Sequence, residues 1–493
     1  LANSSESTQS HTAFVAGIKP APARVKVLNG FNDVVDNLVF ISYELFILFY
    51  YSQVLGLSGT LAGAAILISM VIDALTDPIV GTWSDNLRSR FGRRHAFMFG
   101  SIIPIGLSFY LLFAPPQGLD GTGLFLWLTA MSVAVRVTLT FFSAPAKAVV
   151  AEISPLKGDR AEMGIYGQIA GALGRFGLLW LAFSVFFRST PEFANGQENQ
   201  AAYPEFALAM SAVVMICMAI GSAATFSRIQ EFESRLGPPS GARFNLRSAL
   251  KDWLRALVEV PNFRAIFIGL FFATCMGSTY RATSIYLGTY MFEFTPEQIG
   301  VWQQIVLIGV FAMAIIFRFI IPHVDPKTPY VSAFAMIMLS MGMPPLLFAM
   351  GALPPAGDPA LLYIMYGFNA LMGAASGVIM ICSAVMFSET TDEYHFITRI
   401  SQTGMIFGLI TFGNKTASGL GKVIAGGLLD VVNFPGKENI EQLTPETLSS
   451  LAVLLAAVVF TAGVVGFLIL NTYKLDRKRH AEVLAGIDRM ATG

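Results

Sequence analysis

Asp73 and Asp77 stand four residues apart, with Thr76 between them and Pro78 directly after, inside the apolar run LAGAAILISMVIDALTDPIVG. At a membrane helix centre a carboxylate costs about 2.5 to 3.5 kcal/mol, so acidic groups kept there face a cavity and mark an ion or solute path. A spacing of four puts both on one helical face. Stacked carboxylates beside a hydroxyl offer the oxygen ligands that a hard cation such as sodium needs. Left unneutralised, the two charges repel and favour uptake of a proton. The other reading is that both pair with basic residues and only hold a helix bundle together. A basic run follows at once, Asp85-Asn-Leu-Arg88-Ser-Arg90-Phe-Gly92-Arg93-Arg94.

The elements around these residues must be membrane helices. The 493 residues are 54% hydrophobic and 13% charged, with 41 Phe and a mean hydropathy of +0.61, a surface that no soluble domain of this size tolerates. The formal net charge is zero, which gives no reason to expect a nucleic acid partner. Cys217, Cys275 and Cys382 lie in apolar runs at spacings that match no ligand pattern, and read as packing thiols. The sequence carries no phosphate loop, metal-ligand spacing or nucleophile motif, so an enzyme is not expected and no cofactor beyond a coupling ion, Na+ or H+.

A span needs about 20 mostly apolar residues. Twelve such runs occur, centred roughly on residues 42, 70, 105, 136, 175, 215, 277, 310, 340, 372, 416 and 460. Basic residues crowd the links after the second and sixth runs and the segment after the twelfth, whereas the opposite links hold little beyond Arg188 and Lys437. By the positive-inside rule both termini are cytosolic. The predicted organisation is a cytosolic tail over 1–27, a six-helix bundle over 28–226, a linker over 227–262, a second bundle over 263–472 and a cytosolic tail over 473–493. Within the linker, FNLRSALKDWLRALVEV has the spacing of an amphipathic helix at the membrane surface. Pro78, Pro104 and Pro145 are expected to bend helices, and Gly164, Gly167, Gly171, Gly174 and Gly177 allow close helix approach in the fifth run. The fold class expected is therefore all-α integral membrane, with twelve transmembrane helices.

Six plus six spans with a basic central link resembles the major facilitator superfamily, in which two bundles rock about a site near the midplane. Gly81-Thr-Trp-Ser-Asp85 with Arg88, Arg90, Gly92, Arg93 and Arg94 is similar to that superfamily's signature loop, and His323-Val-Asp325-Pro-Lys327 is a degenerate echo in the second half. The strings NGFNDVVDNLVF, FYYSQVLGLS, IDALTDPIVGTWSDNLRSRFGRR and FGLITFGNKTASGLG, in that order, resemble the glycoside, pentoside and hexuronide cation symporter family.

The resemblance implies a cation site at Asp73 and Asp77, with Thr76, Thr140 and Ser143 nearby and Na+ as one candidate ion. Ser143 replaces an acidic residue of the sugar branch, which leaves one negative charge fewer. It also implies that Lys415 faces the cavity and links cation to solute; a buried ammonium needs a carboxylate, and Asp73 or Asp77 is the natural partner. Lys422, seven residues on, reads as a charge snorkelling outward. The sugar branch holds its ring with an acid, an arginine and an aromatic whose places are taken here by Asn37, Gln168 and Lys147. For Lys147 three roles stay open: a binding charge for an anion, a counter-ion to Asp73 or Asp77, or a snorkelling residue. Asp36, Glu44 and Tyr166 complete the candidate solute residues, Asp36 as a possible lysine partner. Asp85, Arg88, Arg93 and Arg94, with the acidic turn at Glu389 and Asp392, would latch an inner gate.

The reading is thus a monomeric, cation-coupled transporter of a small polar or anionic, sugar-like solute in a bacterial inner membrane. A lysolipid or other amphiphile is the alternative cargo, and a membrane receptor that moves nothing is the alternative of another class.

Overall fold

The computed structural model describes residues 20–154, 157–233, 246–399 and 403–492. Residues 1–19 of the expected tail, and Arg235 and Arg243 of the linker, lie outside them. The helices are α1 Ala23–Val54, α2 Gly59–Asn86, α3 His95–Phe113, α4 Gly121–Ile153, α5 Gly158–Phe186, α6 Ala202–Glu233, α7 Leu246–Glu259, α8 Pro261–Met291, α9 Pro296–His323, α10 Lys327–Ala349, α11 Pro359–Thr398, α12 Thr403–Val431, α13 Pro445–Asn471 and α14 Arg477–Thr492. Eleven of these are long and apolar enough to cross a membrane. The twelfth, α12, is 29 residues long and carries Asn414, Lys415, Ser418, Lys422 and Asp430. Its polar residues face the protein interior, so its low apolarity reflects its place in the molecule.

Helix starts are set locally. The side chains of Ser58, Asp120, Thr295, Asp358 and Thr444 cap α2, α4, α9, α11 and α13, and Thr295 with Gln298 forms a capping box. Pro261, Pro296, Pro359 and Pro445 occupy first turns, where a missing N–H is harmless. Pro78 and Pro145 lie within helices that continue past them, while Pro104 follows the break at Ser101 that divides α3.

Helices α1–α6 and α8–α13 form two bundles, which meet where α2 packs on α12, α1 on α8 and α5 on α9. The two bundles touch firmly at the end away from the termini. There Asp430 accepts from Ser58 Oγ at 2.7 Å and from the backbone N–H groups of Gly59 and Thr60 at 2.9 and 2.8 Å. Gln197 donates to Thr289 at 2.7 Å, Tyr290 donates to Glu198 at 2.7 Å, and Phe49 packs edge-on against Tyr286 with ring centroids 4.9 Å apart. At the end bearing the termini, the ion pairs described below run within each bundle. A cavity of about 640 Å³ between the halves therefore closes at one end and opens at the other.

Two expectations about the flanking segments differ from what is found, and the linker helix forms as expected. The chain is helical from Ala23, and Lys26 is buried against Asp159 and Glu162 at 2.7 and 2.6 Å, so the bundle begins before residue 28. The segment after residue 472 is a docked helix: Tyr473, Leu475 and Val483 are buried, and His480 contacts Asp392 at 2.9 Å. Its apolar face is held because Phe396 leaves a slot for Gly486. The amphipathic α7 buries Trp253 and Ala256 and turns Leu250, Leu254 and Val258 outward.

Candidate functional site

The central cavity is lined from the first half by Asp36, Asn37, Asp73, Asp77, Arg136, Thr140, Ser143, Lys147 and Arg175, and from the second by Thr411 and Lys415. A second cleft, of about 900 Å³, opens at the surface beside Asn262, Glu393 and Lys474 and holds none of these groups.

Asp73 and Asp77 lie one turn apart on α2 and meet α4 and α12. Lys415 Nζ is 2.8 Å from Asp73 Oδ2 and 2.6 Å from Asp77 Oδ2, an ion pair that crosses from one half to the other. Thr140 Oγ1 lies 2.7 Å from Asp73 Oδ1 and 3.1 Å from Asp77 Oδ1. Arg136, one turn before Thr140, places Nη1 3.8 Å from Asp73 Oδ2 and stacks its guanidinium 4.2 Å over the Tyr43 ring. The carboxylates are thus balanced by two cations, which brings the ion-paired reading and the cation-site reading into one place.

Two residues expected at the cation site turn elsewhere. Thr76 donates to the carbonyl of Asp73 at 3.0 Å, as a helix hydroxyl does when no better acceptor is in reach. Ser143 donates to Asp36 Oδ1. Lys147 also bonds Asp36, at 2.8 Å, and its side chain is 69% exposed at the open mouth. Of the three roles open for Lys147, pairing with Asp73 or Asp77 is not found here; its partner is Asp36, and it lines the cavity without being buried in it.

Asn37 is held by Arg175, whose Nη2 donates to its Oδ1 at 2.5 Å. Gln168 and Tyr166 lie on the same helix but neither lines the cavity. An arginine of α5, Arg175, thus lines the cavity two turns beyond Gln168. Its Nε is buried with no hydrogen-bond partner, and the three aspartates of the cavity are bonded to other cations.

Glu44 does not line the cavity. It is buried above it, accepting from Lys422 at 2.5 Å, Arg281 at 2.8 Å and Ser418 at 3.0 Å. Lys422 is wholly buried, which corrects the expectation that it snorkels outward: seven residues after Lys415 it stays on the same helical face, and that face is the seam between the halves.

The loop after α2 folds as its residues suggest. Gly92 has φ of 79°, a value a side chain resists, and Ser89 Oγ donates to its carbonyl at 2.6 Å. Arg94 reaches Asp85 at 2.6 Å and Glu152 at 2.5 Å, and Arg93 reaches Glu152 at 2.7 Å. Glu152, at the end of α4, joins the two arginines and was not foreseen; Arg88 is exposed. The acidic turn of α11 does not meet this loop. Glu389 accepts from Tyr473 at 3.2 Å, and Asp392 pairs with His480, both within the second half. The signature echo is likewise held at home, with Arg477 donating to the carbonyls of Ile321, Pro322 and Val324. Glu152→Gln is expected to lower stability by about 2 to 3 kcal/mol, since charged hydrogen bonds are lost from a buried acceptor, while Arg88→Gln stays within about 0.5 kcal/mol; thermal unfolding of the two proteins checks the contrast.

Comparison with known proteins agrees with this architecture. The family described as MFS/sugar transport protein matches residues 28–477. An uncharacterized symporter of Bacillus subtilis (strain 168), YnaJ, is 23% identical over 92% of both chains. The isoprimeverose transporter of Lactiplantibacillus pentosus is 21% identical over 82% of this chain and 79% of its own. A glucuronide carrier protein homolog of Escherichia coli (strain K12) is 22% identical over 92% and 93%. Among solved structures, the nucleoside transporter NupG superposes with a TM-score of 0.60 at 14% identity, covering 92% of this chain and 98% of its own. The inward-open xylose transporter XylE of E. coli gives 0.56 at 12%, covering 94% and 98%. The chain belongs to the MFS/sugar transport protein family, within its glycoside, pentoside and hexuronide cation symporters, and is a multi-pass integral membrane transporter.

Proposed function

We propose that this protein carries a small polar or anionic, sugar-like solute together with a cation, Na+ or H+, by alternating access. It acts as a monomer in a bacterial inner membrane with both termini in the cytosol, so that the cavity described here is the inward-open one. The observation that carries the reading is the Lys415 ion pair with Asp73 and Asp77. A charge on one half answers two charges on the other, so loading the carboxylates changes how strongly the halves attract, and binding is linked to rocking. Arg175 and Asn37 supply a donor-rich subsite for hydroxyls or an acidic group on the solute. A receptor that moves nothing has no use for a carboxylate pair neutralised across the interface between its halves.

Uptake into proteoliposomes from a panel of glycosides, pentosides, uronides and lysolipids, with and without Na+ and pH gradients, tests this. One hydroxylated solute should accumulate under a cation gradient. Asp77→Asn should abolish accumulation, and Arg175→Gln should weaken the apparent affinity about tenfold, the loss of one charged hydrogen bond. Accumulation that survives Asp77→Asn unchanged would sink the assignment.

A further inference from the structure

Arg136 has no role in the reading above, yet it is the most buried cation in the cavity wall. It is 7% exposed, its guanidinium carbon lies 4.2 Å over the Tyr43 ring, and its Nε and Nη2 are buried without hydrogen-bond partners. The one carboxylate it answers is Asp73. We infer that Arg136 is a resident counter-charge that keeps sodium out of the Asp73 and Asp77 pair and so sets the cation specificity of the carrier. This rests on the pair being the coupling-ion site.

The ligand inventory leads there. A sodium ion bound by this pair would draw on the four carboxylate oxygens and Thr140, since Thr76 and Ser143 are turned to other acceptors. Asp73 Oδ2 already faces both Lys415 and Arg136, Asp77 Oδ2 faces Lys415, and Thr140 bridges the remaining two oxygens. Two negative charges meet two positive ones, so the group is neutral before any ion arrives.

Lys415 can leave. It sits on the second half at the end of a flexible stem and is 24% exposed to the cavity, so rocking or solute binding withdraws it. Arg136 cannot leave in the same way, because it shares the first half with both aspartates and is clamped between α1 and α2. Other charges on the packed elements do not cancel it: Glu44 of α1 is taken by Lys422 and Arg281. Even with Lys415 gone, a metal ion at Asp73 would stand beside a fixed guanidinium in a low-dielectric site, where like charges repel strongly. A small ion needing several oxygens is rejected on both counts.

The test compares melting of the purified protein in sodium chloride with melting in choline chloride of equal ionic strength, with sodium as the only probe. The wild type is expected to melt alike in both. Arg136→Gln, which removes the charge and shortens the side chain but keeps a polar amide, should gain a saturable sodium stabilisation of a few degrees, and Asp77→Asn added to it should remove the gain. Arg136→Lys, which restores the charge, should return to indifference, a rescue that a packing role alone would not produce. A sodium-specific shift in the wild type that Asp77→Asn removes overturns the inference, as does an Arg136→Gln protein that melts cooperatively and ignores sodium. The coupled-transport reading is judged separately: it fails if no cation gradient drives uptake in the proteoliposome panel, whatever the melting curves show.

Discussion

Glu44→Ala is expected to lose about 3 to 5 kcal/mol of stability, the cost of leaving buried charge without its partner. Glu44 is the acceptor for Lys422 and Arg281; without it Lys422 would stay wholly buried with only Ser278 and Ser418 to hydrogen-bond it, and the part-buried Arg281 would lose its carboxylate. Adding Lys422→Met should recover part of the loss, because it removes one of the orphaned charges; a double variant less stable than the single one would contradict this account. The effect also has a direction. Glu44 belongs to the first half and both cations to the second, so their attraction holds shut the end away from the termini. A cysteine placed at Thr289, buried here against Gln197, should therefore react faster with a water-soluble maleimide in the Glu44→Ala background than in the native one.

Gly63→Leu should act at the same seam by a different route. A β-carbon at Gly63 would meet the Lys422 carbonyl oxygen at 2.5 Å and Val423 Cα at 2.6 Å, and one at Gly59 would meet the Gly426 carbonyl at 2.5 Å. These are backbone atoms that cannot swing aside. The larger side chain does not fit between α2 and α12 as they pack here, and it is expected to favour an arrangement in which that end is open. The expected protein folds, melts near the native temperature, and transports at least tenfold more slowly. A cysteine at Lys147, at the open mouth here, should be labelled less than in the native background. A large drop in melting temperature would show instead that Gly63 is packed the same way throughout the cycle.

Asp73 and Asp77 were legible because a charge inside an apolar run demands a reason, and two carboxylates at helical spacing ask for a common partner; Lys415 came from the family resemblance. The same rule should have singled out Arg136 in VAVRVTLTFF, Arg175 in GALGRFGLLW and Arg281 in STYRATSIY. Attention to basic residues in the links, where they report orientation, passed over the basic residues in the spans, where they report the site. Arg175 lines the cavity two turns beyond Gln168, and a register borrowed from relatives fixes one position without showing which neighbours on the helix reach the cavity. The fate of Glu389 and Asp392 was not readable at all: their partners come from α14, and nothing in the spacing of that segment says which acidic turn it covers. Glu152 was hidden for a similar reason, since an acidic residue at a helix end is ordinary until two arginines from another loop are seen to share it.

The low apolarity of α12 bears on how the chain reaches its fold. At mid-helix a lysine adds about 2.5 to 3.5 kcal/mol to the cost of entering lipid, and α12 carries two, Lys415 and Lys422, with Asp430 near its end. Their partners are Asp73, Asp77 and Glu44, made more than three hundred residues earlier. Release of this segment from the insertion machinery is therefore expected to wait on helices already seated in the membrane, with the carboxylates of α1 and α2 as the berth that admits α12 to the bilayer.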